Sequence, residues 1–477
     1  MKRLFGTDGM RGAAGVFPLD AATVKTAGAS LARRLAAQLG RAPRLVTGRD
    51  TRASGAWLEA ALAAGAQAAG APVESAGVVT TPGVAYLART LPADAGVVIS
   101  ASHNPYEDNG IKIFAPNGRK LDDATERLIE ADIYAAQTER DATVVEQRDA
   151  AAQTEQNGSP TLFTPDAATQ ATADAGAHAA GLRARYLDYL ATEIGAGLRL
   201  DGVRLVADYA NGAAYELAPA LFERLGAQVF AVGNTPDGRN INRECGSLFV
   251  ESLRARVTAE GAHLGVAFDG DADRALFVDA RGAVVDGDAT LWVLAQHMAA
   301  RGELAHKLVV ATVMSNIGLE LALKGRGFEL RRTDVGDKYV LEELLRTGAT
   351  LGGEQSGHVI LPRLSLAGDG LLTTLCLLRA MRDAGRPLHE LTEGFVRYPQ
   401  TLVNVRVAEK RPFAEVPEIA RHMRATEAQL AGQGRLLLRY SGTEPLARVM
   451  IEGRRQDEIE QLARALAETI RAALGTG

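Results

Sequence analysis

The chain has 477 residues, 47% apolar and 23% charged, with a formal net charge of −5. That length implies about three or four domains, and the charge balance gives no reason to expect nucleic acid or a membrane surface as a partner. Cys245 and Cys376 are too few for a disulfide framework, no run of about 18 apolar residues offers a membrane span, and Met1–Asp8 lacks a signal peptide's apolar stretch, so a cytoplasmic protein is expected.

Phe5–Gly12 is a loop rich in Gly, Asp and Thr, and Asp20–Leu39 reads as an amphipathic helix. Leu45–Gly48 is a strand running into Arg49-Asp50-Thr51-Arg52, a helix covers about Trp57–Ala69, and Gly77–Pro82 ends another strand. Ala95–Ile99 reads as a buried strand that leads into Ser100-Ala101-Ser102-His103-Asn104-Pro105. Ile111–Phe114 follows, and Thr125–Ala136 closes the unit as a helix. Residues 141–181, with Phe163 their only aromatic and a turn at Asn157–Pro160, read as a linker or insertion with little core. The β/α pattern restarts near Arg183. Val203–Asp208, Gln228–Val232 and Leu264–Phe268 are strands, and the last runs into Asp269-Gly270-Asp271-Ala272-Asp273-Arg274. A third unit begins near Asp288, with a helix through Leu291–Met298, a strand at Lys307–Ala311, and the loops Thr333–Lys338 and Gly352–His358. From about Gln400 the order changes: a strand at Leu402–Val405, a helix near Glu415–Ala431, strands Arg435–Tyr440 and Leu446–Glu452, and a terminal helix with Ile459, Leu462, Ala463, Leu466 and Ile470 on one face. The expected architecture is three α/β units with mixed, mostly parallel sheets at 1–140, 182–284 and 285–398, plus an α+β unit at 399–477.

Several loops carry chemistry. Ser102 sits at a strand end, where open α/β sheets hold their ligands, and is read as a nucleophile that carries a phosphoryl group. Asp269, Asp271 and Asp273 alternate, so in an extended segment their carboxylates point the same way. Held together they need a cation, and magnesium, which shares carboxylates with phosphate, suits them. A solvated acidic turn is the plainer alternative, but the apolar runs on either side bury the loop's shoulders. Arg274 and Ala280 stand where an EF-hand needs Gly and Glu. A haloacid-dehalogenase-type phosphatase also uses Asp-x-Asp after a strand, though with Thr or Val in place of Asp273, and it stays open. Ser441-Gly442-Thr443, flanked by Arg439 and Arg448, suits a phosphate dianion, or is a bare hairpin. The chain has no Gly-Lys dipeptide and so no Walker A loop. Glu354 and Ser356 suit sugar hydroxyls, or form a structural turn. Lys112 is a general acid/base or a surface lysine. A serine hydrolase would leave the aspartates idle and lacks a Gly-x-Ser-x-Gly elbow; a non-catalytic sugar-phosphate binder is a further reading.

The blocks Phe5–Gly12, Ser100–Pro105 with Asn109–Lys112, Asp269–Arg274, Gly353–His358 and Arg439–Pro445 together resemble the α-D-phosphohexomutase superfamily, in the family's order and along the whole chain. Pro236–Asn242 and Gln355 favour its glucosamine branch over phosphoglucomutase or phosphomannomutase. The resemblance implies three related α/β domains and an α+β domain around a central cleft. Ser102 would be the phosphoserine and would share one Mg2+ with Asp269, Asp271 and Asp273. Glu354 and Ser356 would contact the sugar, with Arg274 and Lys338 as further substrate contacts. Arg439, Ser441, Gly442, Thr443 and Arg448 would hold the substrate's phosphate, while Lys112, Arg11 and His103 assist proton transfer. The implied activity interconverts glucosamine 6-phosphate and glucosamine 1-phosphate through the 1,6-bisphosphate, supplying the precursor of UDP-N-acetylglucosamine. The partner is then a small sugar phosphate, with a homodimer left open. Ala272 departs from the glycine usual in relatives.

Overall fold

A computed structural model describes residues 3–151, 169–441 and 444–475. Its first sheet contains β1 (Phe5–Gly6), β2 (Gly9–Ala13), β3 (Leu45–Arg49), β4 (Val73–Val78), β5 (Ala95–Ile99) and β6 (Asp108–Phe114) in the order β1-β2-β6-β5-β3-β4. The second holds β7 (Arg204–Asp208), β8 (Gln228–Val232), β9 (Leu264–Phe268), β10 (Ala275–Asp279) and β11 (Val284–Val285) in the order β11-β10-β9-β7-β8. The third holds β12 (Leu308–Thr312), β13 (Glu329–Thr333), β14 (Gly352–Gly353) and β15 (Val359–Ile360) in the order β13-β12-β14-β15.

One arrangement recurs in all three. Two helical crossovers produce a parallel trio, β4-β3-β5, β8-β7-β9 and β13-β12-β14, and the next strand returns antiparallel beside the last. Parallel neighbours need such crossovers, whereas antiparallel ones need only a short loop. The Ser102, Asp269–Arg274 and Glu354–His358 loops are therefore equivalent: each follows the third strand of its trio. The hairpin additions give the sheets a larger antiparallel share than the sequence pattern suggests.

Local signals explain most boundaries. Asp20 caps the helix Ala21–Leu39 by accepting the Thr23 N–H, and Gly40 ends it in the left-handed conformation. The helix Thr81–Thr90, hidden behind an expected strand end, starts where Thr80 accepts the Gly83 N–H at 3.2 Å, with Pro82 in its first turn. Much of the stretch expected to be a linker is helical, in Asp123–Ala151 and Thr169–Tyr189. Its Ala, Gln and Glu are good helix formers, although they offer little core. The expected turn at Asn157–Pro160 and Phe163 lie outside the described residues.

One apolar core runs through all three α/β units, joining Val98, Leu221, Phe268, Trp292 and Leu375. The helix Thr169–Tyr189 ties into it through Tyr186 and Tyr189, and the Tyr189 ring stacks on Tyr86 at 4.5 Å. The C-terminal unit has its own core. β16 (Gln400–Arg406), β17 (Arg435–Tyr440) and β18 (Leu446–Glu452) form an antiparallel sheet in the order β16-β18-β17. It buries Val405, Val449 and Ile451 against Ile459, Ala463, Leu466 and Ile470 of the helix Gln456–Leu474. Among the described residues no helix is long and apolar enough to cross a membrane.

Candidate active site

Ser102 is fully buried and adopts a φ of 54°, a left-handed conformation that is costly for a residue with a Cβ. A buried scaffold holds it there. The Ser102 N–H donates to Ser100 Oγ at 2.9 Å, and Ser100 Oγ donates to Asp50 Oδ2 at 2.6 Å. Asp50 pairs with Arg52 at 2.9 Å, both side chains fully buried. The Arg52 guanidinium then clamps the loop by its carbonyls: Ser102 O at 3.0 Å, Asn104 O at 2.7 Å, Asp108 O at 3.0 Å, and Pro105 O. From the second domain, Asn242 Nδ2 donates to Ser102 O at 2.8 Å and Asn104 O at 3.0 Å. Thus Asn242, at the end of the Pro236–Asn242 segment, supports the Ser102 backbone.

The Asp269–Arg274 loop lies directly against this scaffold. Ser102 Oγ donates to Asp269 Oδ2 at 2.5 Å. Asp269, Asp271 and Asp273 converge, with ligand atoms within 4.8 Å of one another. They do so by a turn and not by extended alternation. Residues 270–273 bend, and Ala272 takes φ 54°, because the chain must reverse between antiparallel β9 and β10. Asp271 Oδ1 and Asp273 Oδ1 are buried without a hydrogen-bond partner. Two orphaned hard oxygens beside a third carboxylate are the donor set a divalent cation takes, so the residues fit a magnesium ion. Burial, then Asp273 and Asp271, push the Asp269 carboxyl well above the carboxylate range.

Lys112 is 1% exposed, with Nζ 2.9 Å from Asp271, 3.2 Å from Asp8 and 3.3 Å from Asp273. Burial works against its charge, but Asp271, Asp8 and Asp273 raise its pKa well above the ordinary value. It is a fixed ammonium at neutral pH, suited to stabilise negative charge and unsuited to accept a proton. Thr81 Oγ1 also donates to Asp271, at 2.6 Å.

His103 Nδ1 lies 3.3 Å from both Ser102 Oγ and an Arg274 nitrogen. Burial, then Arg274 and Arg11, push its pKa down to about 4, so the ring is neutral and available as an acceptor. Arg11 pairs with Asp8 and reaches Asn104 Oδ1 at 3.5 Å.

From the third domain, Glu354 accepts the Gly336 N–H at 3.2 Å, and Ser356 Oγ is buried without a partner. Gln355 turns inward, its Nε2 donating to the buried Asp288 at 3.1 Å. Lys338 lies on Asp123 of the first domain, at the seam between the two domains. His358 Nδ1 is 3.6 Å from Asp273, and Nε2 is 3.8 Å from Asp337 and 3.2 Å from the Gly368 nitrogen. Burial lowers its pKa, but Asp273, Asp337 and Glu354 outweigh that and carry it to about 9.

Ser441, Arg439 and Arg448 sit on the β17–β18 hairpin. Arg439 and Arg448 are cross-strand partners, and Arg448 reaches Ser441 Oγ at 3.4 Å. Burial and Arg448 lower the Arg439 pKa. Two guanidiniums side by side create a demand for an anion. Gly442 and Thr443 lie outside the described residues. Lys410, to which the sequence reading assigned no role, donates to Ser441 O at 2.6 Å.

Sequence reasoning brought Ser102, His103, Lys112, Arg11, Arg274 and the three aspartates to one place, and they meet. It gave no role to Arg52, Asn242, Asp8 or Lys120. A polar loop after β3 was the one visible signal for Arg52; Asn242 and Asp8 lay inside quoted blocks without a chemical reason to be singled out.

Four family descriptions match in order: phosphoglucomutase/phosphomannomutase α/β/α domains I, II and III at residues 2–140, 184–282 and 286–398, and the C-terminal domain at 402–469. The chain belongs to the phosphoglucomutase/phosphomannomutase family, within the α-D-phosphohexomutase superfamily, and this removes the haloacid-dehalogenase alternative. It is 48% identical to a phosphoglucosamine mutase of Solibacter usitatus, over 99% of both chains, and 49% identical to one of Deinococcus radiodurans, over 98% of both. A phosphoglucomutase/phosphomannomutase family protein of Burkholderia thailandensis has a similar structure, with TM-score 0.75 and 25% identity over 99% of this chain and 97% of that one. The Aspergillus fumigatus N-acetylphosphoglucosamine mutase in complex with GlcNAc-6P and magnesium shares the fold, with TM-score 0.62 and 19% identity over 99% of this chain and 96% of that one.

Proposed function

We propose that this chain interconverts glucosamine 6-phosphate and glucosamine 1-phosphate through a phosphoserine at Ser102. The single observation that carries the reading is Ser102 Oγ held 2.5 Å from Asp269, inside the three-carboxylate cluster, in a chain whose full-length relatives are phosphoglucosamine mutases. In the first half-reaction the phosphoserine P–Oγ bond breaks as the bond from phosphorus to the sugar O1 forms, and the O1 proton ends on Ser102 Oγ, leaving glucosamine 1,6-bisphosphate. The intermediate turns over, and Ser102 recovers the phosphoryl group from O6.

Phosphoryl transfer depends mainly on positioning and charge neutralisation. The fixed Lys112 ammonium and the Arg274 guanidinium supply positive charge beside Ser102. Asp269 and neutral His103 lie within reach of the Ser102 proton, which must leave when the serine attacks. Asp269, Asp271 and Asp273 would hold a magnesium ion, whose chemistry is to neutralise charge on the serine phosphate. Glu354 and Ser356 would take the sugar hydroxyls. The cations of the β17–β18 hairpin, Arg439 and Arg448, would hold whichever phosphate is not reacting.

The test is incubation with glucosamine 6-phosphate, magnesium and a trace of the 1,6-bisphosphate, followed by phosphorus NMR and phosphosite mapping. Formation of the 1-phosphate with an acid-stable phosphate on Ser102, both lost in Ser102→Ala, is the expected result. A phosphate mapped elsewhere, or turnover surviving in Ser102→Ala, would refute the reading.

A further inference from the structure

A closed circuit of alternating basic and acidic side chains surrounds the metal cluster and crosses all three α/β domains. Lys112 Nζ lies 3.2 Å from Asp8, and Asp8 lies 2.7 Å from Lys120. Lys120 lies 2.7 Å from Asp337, and Asp337 lies 3.8 Å from His358. His358 lies 3.6 Å from Asp273, and Asp273 returns to Lys112 at 3.3 Å. Asp8, Lys112 and Lys120 come from the first domain, Asp273 from the second, and Asp337 and His358 from the third. The circuit borders a cavity of about 490 Å³ at the seam between the first and third domains.

We propose that Asp8, Lys120 and Asp337 are positioning residues, which hold Lys112 of the first domain and His358 of the third in register on the same carboxylate, Asp273. Lys112 has four rotatable bonds. Its direction is set by the anions around it, and Asp8 is the one that belongs neither to the metal loop nor to the second domain. Asp8 is itself anchored by Lys120 and Arg11. Lys120 is the only one of these side chains that reaches across to the N-terminus of the helix Asp337–Thr347, where Asp337 also suits the positive end of the helix dipole. With side-chain exposures of 24% for Asp8, 19% for Lys120 and 18% for Asp337, these contacts are shielded enough to act together. The circuit is complete only when the third domain is seated on the first, so seating aligns the two basic groups on Asp273.

The inference rests on the mutase reading, and the experiment separates the two. Asp8→Asn and Asp337→Asn do not touch each other, so independent structural effects would multiply. The circuit predicts that each variant lowers kcat about tenfold, leaves KM for glucosamine 6-phosphate within about twofold, and that the double variant loses little more than either single one. Lys120→Met should match them, and Lys120→Arg should restore most of the rate. Multiplying losses, unchanged kcat in the folded single variants, or an effect confined to KM would overturn the proposal. Wild-type turnover in the same assay reports on the mutase reading alone. If it is absent, the same cycle in denaturation midpoints carries the test, and additive midpoint shifts would overturn the circuit.

Discussion

Two backbones approach each other closely in the site. A Cβ on Gly270 would sit 2.5 Å from the Ser102 carbonyl oxygen and 2.8 Å from Ile241 Cδ1. The serine loop is held from behind by Arg52 and Asn242 and has no room to retreat, so the metal loop would have to move. Gly270→Ala is expected to lower kcat/KM about 100-fold, the scale of a 1 Å misplacement of reacting groups, with an unchanged circular dichroism spectrum. Steady-state kinetics checks this. Two residues along, the expectation reverses. Ala272 sits at φ 54°, so glycine there relieves about 1 kcal/mol of left-handed strain and costs about 0.4–1 kcal/mol through the unfolded chain. Ala272→Gly should therefore shift stability by less than about 1 kcal/mol and leave activity intact, as a denaturation midpoint and a rate would show. The sequence made the three carboxylates legible as a cluster. It could not reveal how they converge, because alternation along an extended strand and reversal through a turn both bring i, i+2 and i+4 together. The turn follows from the antiparallel pairing of β9 and β10, a contact that no local pattern announces.

At the scale of elements, strand ends and helix caps were readable because their signals are local. Asp20 before an amphipathic run and an apolar pentad before Ser100 needed no tertiary information. The helix Thr81–Thr90 was missed because its Thr-Thr-Pro start also reads as a strand ending in a turn. Arg52 was missed because its four carbonyl acceptors come from a loop some 50 positions away in the chain. A buried cap of the same kind carries a pH signature. Asp369 caps the helix Gly370–Ala384 through the Leu372 N–H at 3.0 Å and accepts the Tyr186 hydroxyl at 2.6 Å. Burial holds its pKa up at about 6, above the ordinary carboxylate value near 3.9. The folded state therefore keeps a proton that the unfolded chain releases, and this contribution is full below about pH 4 and lost as pH rises through about 6. Two units amount to about 3 kcal/mol. Asp369→Asn keeps the cap and removes the titration, so its stability relative to wild type should rise between pH 4 and pH 7. Urea midpoints at several pH values measure that difference.

At the scale of the molecule, one apolar core runs through the three α/β domains, and the core of the C-terminal domain is separate from it. The polar contacts between the C-terminal domain and the third domain centre on Glu452, which accepts from Asn316 Nδ2 at 3.2 Å, the Ile317 N–H at 3.1 Å and Arg435 Nε at 2.9 Å. Arg435 also reaches Ser315 O at 3.1 Å. This is a small buried pivot at the end of the domain remote from the β17–β18 turn, since Arg435 and Glu452 pair at one end of the hairpin and Tyr440 and Ala447 at the other. Among the described residues, the hydrogen bonds of Ser441 run within its own domain, to Leu446, Glu444, Arg448 and Lys410. A phosphate bound at Arg439 and Arg448 while the same sugar meets Ser102 would tie this domain to the first, and a swing about that pivot is the motion available to it. Adding glucosamine 1,6-bisphosphate and magnesium is thus expected to reduce the radius of gyration toward the compact value of about 23 Å for this length. Arg439→Leu combined with Arg448→Leu should abolish the contraction in small-angle scattering. The same variant should raise KM at least about tenfold, because each lost charge-assisted bond is worth about 1.5–3 kcal/mol. Contraction persisting in that variant would mean that the ligand is gripped elsewhere.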